Sequence, residues 1–283
     1  MILVTGATGK VGSEAVRVLR QRDALVRALV RDPRKAEGLA AAGAQIAIGD
    51  FDDQTSLQAA LNGVSCVVLT SAGGQPEQEL NVVDAAARAQ VGHLVKLTSK
   101  ASPDSPIARQ RWHAQVEQGL TASGLTHTLL RSNAFMQNTL MSARGIARTD
   151  SFSSSVGAGR IGMSDARDVA AAAATIALDP TRHAGKTYWL SGPELLSYTD
   201  VAAILSRVLA RTVTFRPRSR QEDEQEMVDA GLPEPVAAMN ALAMSMFAEG
   251  DAEWLSQDMS TLLGRPTRSY EQFAADHAAA FSS

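Results

Sequence analysis

The sequence predicts an α/β protein: a doubly wound parallel sheet followed by a smaller, mainly helical C-terminal lobe. Three observations predict it. Short apolar runs alternate with helical spacing through the first half, a glycine-rich turn follows the first run, and the alternation loosens past residue 131.

Strands are expected at residues 2–5, 24–30, 44–48, 66–70, 94–98 and 126–131, each a short apolar run. Between them, helical spacing occupies 13–21, 33–42, 57–61, 77–89 and 109–122. Asp32 before Pro33 supplies an N-cap and a favourable first-turn proline. Glycines 43, 63, 92 and 124 supply stops. Strand–helix–strand repetition at this spacing implies parallel pairing with helices on both faces. Past Arg131, a helix is expected at 135–144 and a Ser/Gly-rich loop at 151–162. Asp168 is expected to cap the alanine-rich helix that follows, and 186–191 reads as a strand carrying Tyr188, Trp189 and Leu190. From Pro193 the chain is mainly helical, with one strand at 213–216. The charged stretch 216–226 reads as a solvated turn and helix face. Met239, Met244 and Met246, beside Leu242 and Phe247, read either as a packed helical face or as an adaptable apolar pocket.

A chain of 283 residues with 45% hydrophobic content can bury a full core. Its net charge of -3 advertises no nucleic-acid partner. The single cysteine, Cys66, lies in an apolar run and reads as a buried core residue, which fits a reducing compartment. Met1 leads straight into an apolar strand without a basic leader, and the alanine-rich run at 169–178 falls short of the ~20 residues that span a bilayer. No membrane association and a cytoplasmic location are therefore expected. The five histidines (93, 113, 127, 183 and 277) show no metal-ligand spacing, and no G-x-S-x-G turn occurs.

Gly6-Ala7-Thr8-Gly9-Lys10-Val11-Gly12 follows the first strand and opens a helix. One glycine permits the tight turn, one lets backbone approach a pyrophosphate, and one lets helix and strand pack closely. First-turn amides and the helix dipole then face the phosphates. In this strand–helix–strand context the motif indicates a Rossmann-type, dinucleotide-binding fold. Residues 1–150 are expected to form that domain, with 165–192 returning to it and 193–283 forming a smaller substrate-binding lobe.

At the end of the second strand the chain reads Val30-Arg31-Asp32-Pro33-Arg34-Lys35. Arg31 arrives where a ribose 2′-phosphate would lie, with Arg34 and Lys35 nearby, which favours NADP(H). A one-residue shift would instead bring the Asp32 carboxylate to the ribose, the arrangement that suits NAD(H). Asp50, followed by Phe51, ends the third strand and reads equally as an adenine neighbour or a turn aspartate. Thr70 and Ser71, before Ala72-Gly73, end the fourth strand beside the crevice expected to hold the dinucleotide.

The Tyr-x-x-x-Lys pair of ordinary short-chain dehydrogenases is missing. Tyrosines 188, 198 and 270 have no lysine four residues later. In its place the helix carries His113 and Glu117, which share a face. Residues 5–12, the Val-Arg-Asp-Pro-x-Lys segment, Leu97-Thr98-Ser99, His113-x-x-x-Glu117 and residues 129–138 resemble the NmrA-like family of atypical short-chain dehydrogenases/reductases. The likeness continues through 165–171 and Leu263-Gly264-Arg265-Pro266, so it spans nearly the whole chain. Ser132 departs from the proline common at its position.

The resemblance implies an NADPH-dependent reductase passing hydride to an electron-poor conjugated small molecule such as a quinone or azo compound. Its alternative is a non-catalytic NADP(H)-binding redox sensor. It also implies that Asn133 and Phe135 line the nicotinamide and acceptor end, with Thr98 near the cofactor. Phe135 reads equally as a ring that stacks on a flat acceptor or as a core aromatic. His113 is the best candidate for proton delivery or acceptor binding, unless it forms a structural pair with Glu117. A sugar-nucleotide epimerase is disfavoured for want of the tyrosine–lysine pair. Oligomeric state stays open, a homodimer included.

Overall fold

The computed structural model describes residues 1–71 and 75–282. The chain begins β1 (Ile2–Val4), α1 (Lys10–Gln21), β2 (Val26–Val30), α2 (Glu37–Ala41), β3 (Gln45–Ile48), α3 (Gln54–Leu61) and β4 (Cys66–Leu69). It continues through α4 (Pro76–Arg88), β5 (His93–Thr98), α5 (Ala108–Ala122), β6 (His127–Ser132), α6 (Ala143–Thr149), β7 (Ser151–Ser154), α7 (Ala166–Leu178) and β8 (Thr187–Leu190). It ends with α8 (Tyr198–Leu209), β9 (Thr214–Pro217), α9 (Arg220–Asp229), α10 (Glu234–Ala248), α11 (Asp258–Leu263) and α12 (Tyr270–Asp276).

Seven strands form one sheet in the order β3-β2-β1-β4-β5-β6-β8, every pairing parallel. The chain leaves β1 toward β2 and β3, then crosses back to β4 on the other side of β1. The carboxyl ends of β1 and β4 therefore flank the switch point, where a ligand crevice opens in such sheets. Alternation along the strands divides the core. Val4, Ala28, Val68 and Val95 pack with α1 and the alanines of α7, while Leu3, Leu29, Val67, Leu69 and Leu94 pack with α3, α4 and α5.

A second core gathers Ile146, Ile161, Leu205 and Phe273 around Phe152, Tyr198 and Phe215, whose rings lie 5.4–5.6 Å apart. It draws on residues 136–163 as well as 196–281.

Several elements differ from expectation for identifiable reasons. Helix α1 starts at Lys10, not residue 13, because Gly9 already adopts the extended cap conformation. The segment expected to be helical at 135–144 is a 3₁₀ run, Met136–Ser142, that passes into α6. The loop at 151–162 contains β7, which pairs in parallel with β9. Asp165, not Asp168, caps α7, accepting from the Arg167 amide at 2.8 Å. Asp168 lies inside the first turn, fully buried, accepting from the Arg268 amide at 2.7 Å and pairing with Arg265 and Arg268. The stretch 216–226 is not wholly solvated. Asp223 is buried and accepts from the Ser155 amide at 3.0 Å and hydroxyl at 2.8 Å.

Candidate functional site

The glycine turn is fixed by contacts that no other residue would allow. Gly6 has a φ of +53°, and a Cβ there would lie 2.7 Å from the Thr70 carbonyl oxygen. At Gly12 a Cβ would lie 2.2 Å from the Gly6 carbonyl oxygen, so α1 can rest on the turn only without a side chain. The Gly9 amide donates to Gly6 O at 2.8 Å, and Gly9 caps α1 without covering the first-turn amides with a side chain. The first turn holds no acidic residue. The amides of Lys10, Val11 and Gly12 therefore open onto the crevice as an anion seat.

Thr5 and Thr70 lock this seat to the sheet. The Thr5 hydroxyl donates to Thr70 O at 2.7 Å and accepts from the Thr70 amide at 3.0 Å, while the Thr70 hydroxyl donates to Thr5 O at 2.9 Å. Thr70 thus holds the crevice's two walls together, and its hydroxyl is committed. Ser71 follows at the mouth, while Ala72 and Gly73 lie outside the described residues.

Beside the seat a cleft of about 520 Å³ is lined by Thr8, Arg31, Asp32, Pro33, Arg34 and Lys35. The Asp32 carboxylate is turned onto its own 3₁₀ turn, accepting from the Arg34 amide at 3.0 Å and pairing with its guanidinium at 2.9 Å. That hydrogen bonding holds the Asp32 carboxyl below the usual carboxylate range. Arg31 and Lys35 remain exposed, so the cleft carries a cationic surplus. Asp50 accepts from the Asp52 amide at 3.0 Å, the turn arrangement, and Phe51 packs partly buried against the α3 and α4 core.

At the other end of the crevice, Lys10 reaches across to Asn138 Oδ1 at 3.1 Å, and burial lowers its pKa. Phe135 is half-buried against the α1 and α7 core. Asn133 is a clamp: its amide nitrogen donates to Ala252 O at 3.0 Å and its oxygen accepts from the Ala134 amide at 2.8 Å. Its nitrogen end thus ties the smaller lobe to the end of β6, and its oxygen end is held by the amide of the next residue.

His113 and Glu117 share a face of α5 but do not pair. Glu117 accepts from Arg131 at 3.1 and 2.5 Å and from the buried Thr98 hydroxyl at 3.0 Å. Arg131 also lies over the Trp189 ring, 5.1 Å from its centroid. His113 Nδ1 is buried with no hydrogen-bond partner among the described residues. Burial, with Lys96 and Arg109 nearby, pushes its pKa down to about 3, so the imidazole is neutral. Beneath it, Lys96 and Glu79 form a buried pair at 2.5 Å.

Sequence reasoning missed the Thr5–Thr70 clasp and the Lys10–Asn138 bridge. Threonines ending both crevice strands were a readable signal; the bridge, across 128 positions, was not. Among the described residues no three His, Cys, Asp or Glu side chains come together as a metal site, and no helix is long and apolar enough to cross a membrane.

The chain is similar to known proteins along its whole length. An NAD(P)H azoreductase from Xenophilus azovorans is 38% identical, with 99% of each chain covered. A (4-alkanoyl-5-oxo-2,5-dihydrofuran-3-yl)methyl phosphate reductase from Streptomyces griseus is 36% identical, with 100% of this chain and 99% of the relative covered. The solved NADPH complex of an NADPH-dependent quinone oxidoreductase from Escherichia coli superposes with a TM-score of 0.89 at 31% identity, covering 99% of this chain and 100% of that one. The family model of the NmrA-like family matches residues 1–267, and the chain belongs to that family.

Proposed function

We propose that this protein is an NADPH-dependent reductase of electron-poor conjugated small molecules, quinones and azo compounds among them. The observation that carries the reading is the cationic cleft beside the glycine seat, with its one carboxylate, Asp32, already satisfied by Arg34. An azoreductase, a furanone reductase and a quinone oxidoreductase as relatives support the same chemistry, since each name describes reduction of a conjugated, electron-poor system.

The amides opening α1 would hold the pyrophosphate, and Arg31 with Lys35 would hold the 2′-phosphate through charge-assisted hydrogen bonds. Asp50 and Phe51 are assigned to the adenine end, and Thr98 and Phe135 to the nicotinamide and acceptor end. When bound, NADPH supplies the hydride. The protein's part is to orient the acceptor in the crevice, where proximity is a large rate term. No side chain has to deliver a proton in the rate-limiting event, because an extended π system holds the added charge until water protonates it. Neutral His113 is assigned to hydrogen bonding with the acceptor.

The test is calorimetric titration with NADPH and NADH, then NADPH oxidation against a panel of quinones and azo dyes. Tighter binding of NADPH and turnover of at least one acceptor class are expected. Absence of any nucleotide binding at millimolar concentration overturns the whole reading, whereas binding without turnover of any acceptor would identify a sensor.

A further inference from the structure

Between α10 and α11 the chain runs across the ends of three strands. β5, β6 and β8 are consecutive in the sheet, and their carboxyl ends are Thr98, Ser132 and Leu190. The Asp251 carboxylate takes the ammonium of Lys100, two residues past the end of β5, at 2.5 Å. The Ala252 carbonyl accepts from the Asn133 side chain, just past β6, at 3.0 Å. The Ser256 amide donates to the Ser191 hydroxyl, just past β8, at 2.9 Å. Residues 251–256 therefore cross the carboxyl ends of β5, β6 and β8 in sequence order. Ligands of such sheets lie outside those ends. The segment covers the ends of β6 and β8 and bounds the crevice at β5, the strand that carries Thr98.

The two margins of the segment are held differently. On the β6 and β8 side the contacts are neutral: the Trp254 ring meets Trp189 edge-on at 5.2 Å, and the Gly162 amide also donates to Ala252 O at 3.3 Å. On the β5 side the two oxygens of Asp251 take different partners. Oδ1 accepts from Lys100, and Oδ2 accepts at 2.7 Å from the side-chain amide of Gln110, in the first turn of α5. One carboxylate thus joins the smaller lobe to both elements that frame the acceptor end, β5 and α5. Its side chain is 12% exposed and that of Lys100 is 41% exposed, so the pair lies at the rim but is partly shielded from water. Shielding makes a charge-assisted contact stronger than one on the open surface.

We propose that residues 251–256 form the outer wall of the acceptor site, and that Asp251 is its positioning residue, acting through Lys100 and Gln110 to set acceptor affinity. This rests on the reductase reading and names the part of the smaller lobe that fixes where the acceptor lies.

The test is steady-state reduction of 1,4-naphthoquinone by the full-length protein saturated with NADPH. A wall that holds ground and transition states alike moves KM and leaves kcat. Asp251→Asn keeps an acceptor for Gln110 but removes the ion pair; it is expected to raise the quinone KM by about tenfold, with kcat changed by less than about threefold and NADPH affinity unchanged. Lys100→Met gives the same split, and the double variant is no worse than the weaker single variant, because both changes remove one contact. An unchanged KM, an equal loss of NADPH affinity, or additive losses overturn the proposal. If the wild type reduces no acceptor, the reductase reading is what fails. Titration of 1,4-naphthoquinone into the NADP-loaded protein then decides the inference: binding that Asp251→Asn weakens upholds the wall, and no binding, or binding that the variant leaves unchanged, overturns it.

Discussion

Acidification from pH 7 to pH 5 tests the burial of His113 directly. In the unfolded chain its imidazole titrates near the ordinary value of about 6.5. In the folded protein, burial and the neighbouring cations hold it at about 3. The folded state therefore binds fewer protons than the unfolded state across this window, and stability rises with pH. The contribution is complete above about pH 6.5 and is lost as pH falls toward the folded value. At pH 5 the unfolded imidazole is about 97% protonated and the folded one about 1%, which corresponds to about 2 kcal/mol of lost stability. The figure hardly depends on the folded value, because pH 5 lies well above it. His93, buried against Thr128 with its pKa also lowered, acts in the same direction. A comparison of wild type with His113→Gln cancels that contribution and those of the carboxylates. Urea unfolding at both pH values should show the wild type losing about 2 kcal/mol more than the variant. Parallel losses in the two proteins would refute the claim that His113 is held neutral by the fold.

Three further outcomes are expected. Arg31→Asp should weaken NADPH binding by about ten- to hundredfold in calorimetry while sparing NADH, since the contact proposed for Arg31 is to the 2′-phosphate, which NADH lacks; equal losses would refute that assignment. Gly12→Ala should abolish binding of both nucleotides, because the added Cβ would lie 2.2 Å from Gly6 O and force the seat open; fluorescence titration showing wild-type affinity would refute the cradle geometry. The kcat of quinone reduction should stay flat from pH 6 to pH 8, because His113 does not titrate there. A sigmoid centred near pH 7 that disappears in His113→Gln would restore the histidine as a proton donor.

The central sheet was legible because its signals are local. Apolar runs of four to seven residues, punctuated by glycine, and a G-x-x-G-x-x-G turn placed at the first strand end are readable without knowing what packs where. The Asp32 cap was legible for the same reason, and its side chain does accept from the Arg34 amide. What failed depended on distant partners. Asp165 and Asp168 look alike as caps in sequence, and only Arg265 and Arg268, about a hundred positions on, separate them. Strand β7 is a short Ser-rich segment whose pairing with β9 crosses more than sixty positions, so no periodicity could reveal it. Asp223 lies among charges that do face solvent, and its burial follows from Ser155, again far away in the chain.

The same distinction governs the site. The spacing of His113 and Glu117 correctly placed both on one face of α5, but a shared face does not make a pair. Arg131, a bidentate donor fixed over Trp189, competes for Glu117 with stronger, charge-assisted hydrogen bonds than a neutral imidazole could offer. Glu79 claims Lys96 in the same way, which removes the one buried lysine from any role in activating a proton donor. The helix that carries Tyr-x-x-x-Lys in ordinary short-chain dehydrogenases therefore presents here an uncharged imidazole and an engaged carboxylate. Such a wall can bind and orient, but it cannot supply a proton at neutral pH. An acceptor that must be protonated as hydride arrives, such as an isolated ketone, would find no donor on it, whereas a quinone or azo compound stores the charge within its own π system. The absent tyrosine thus restricts the chemistry to acceptors that carry the charge themselves.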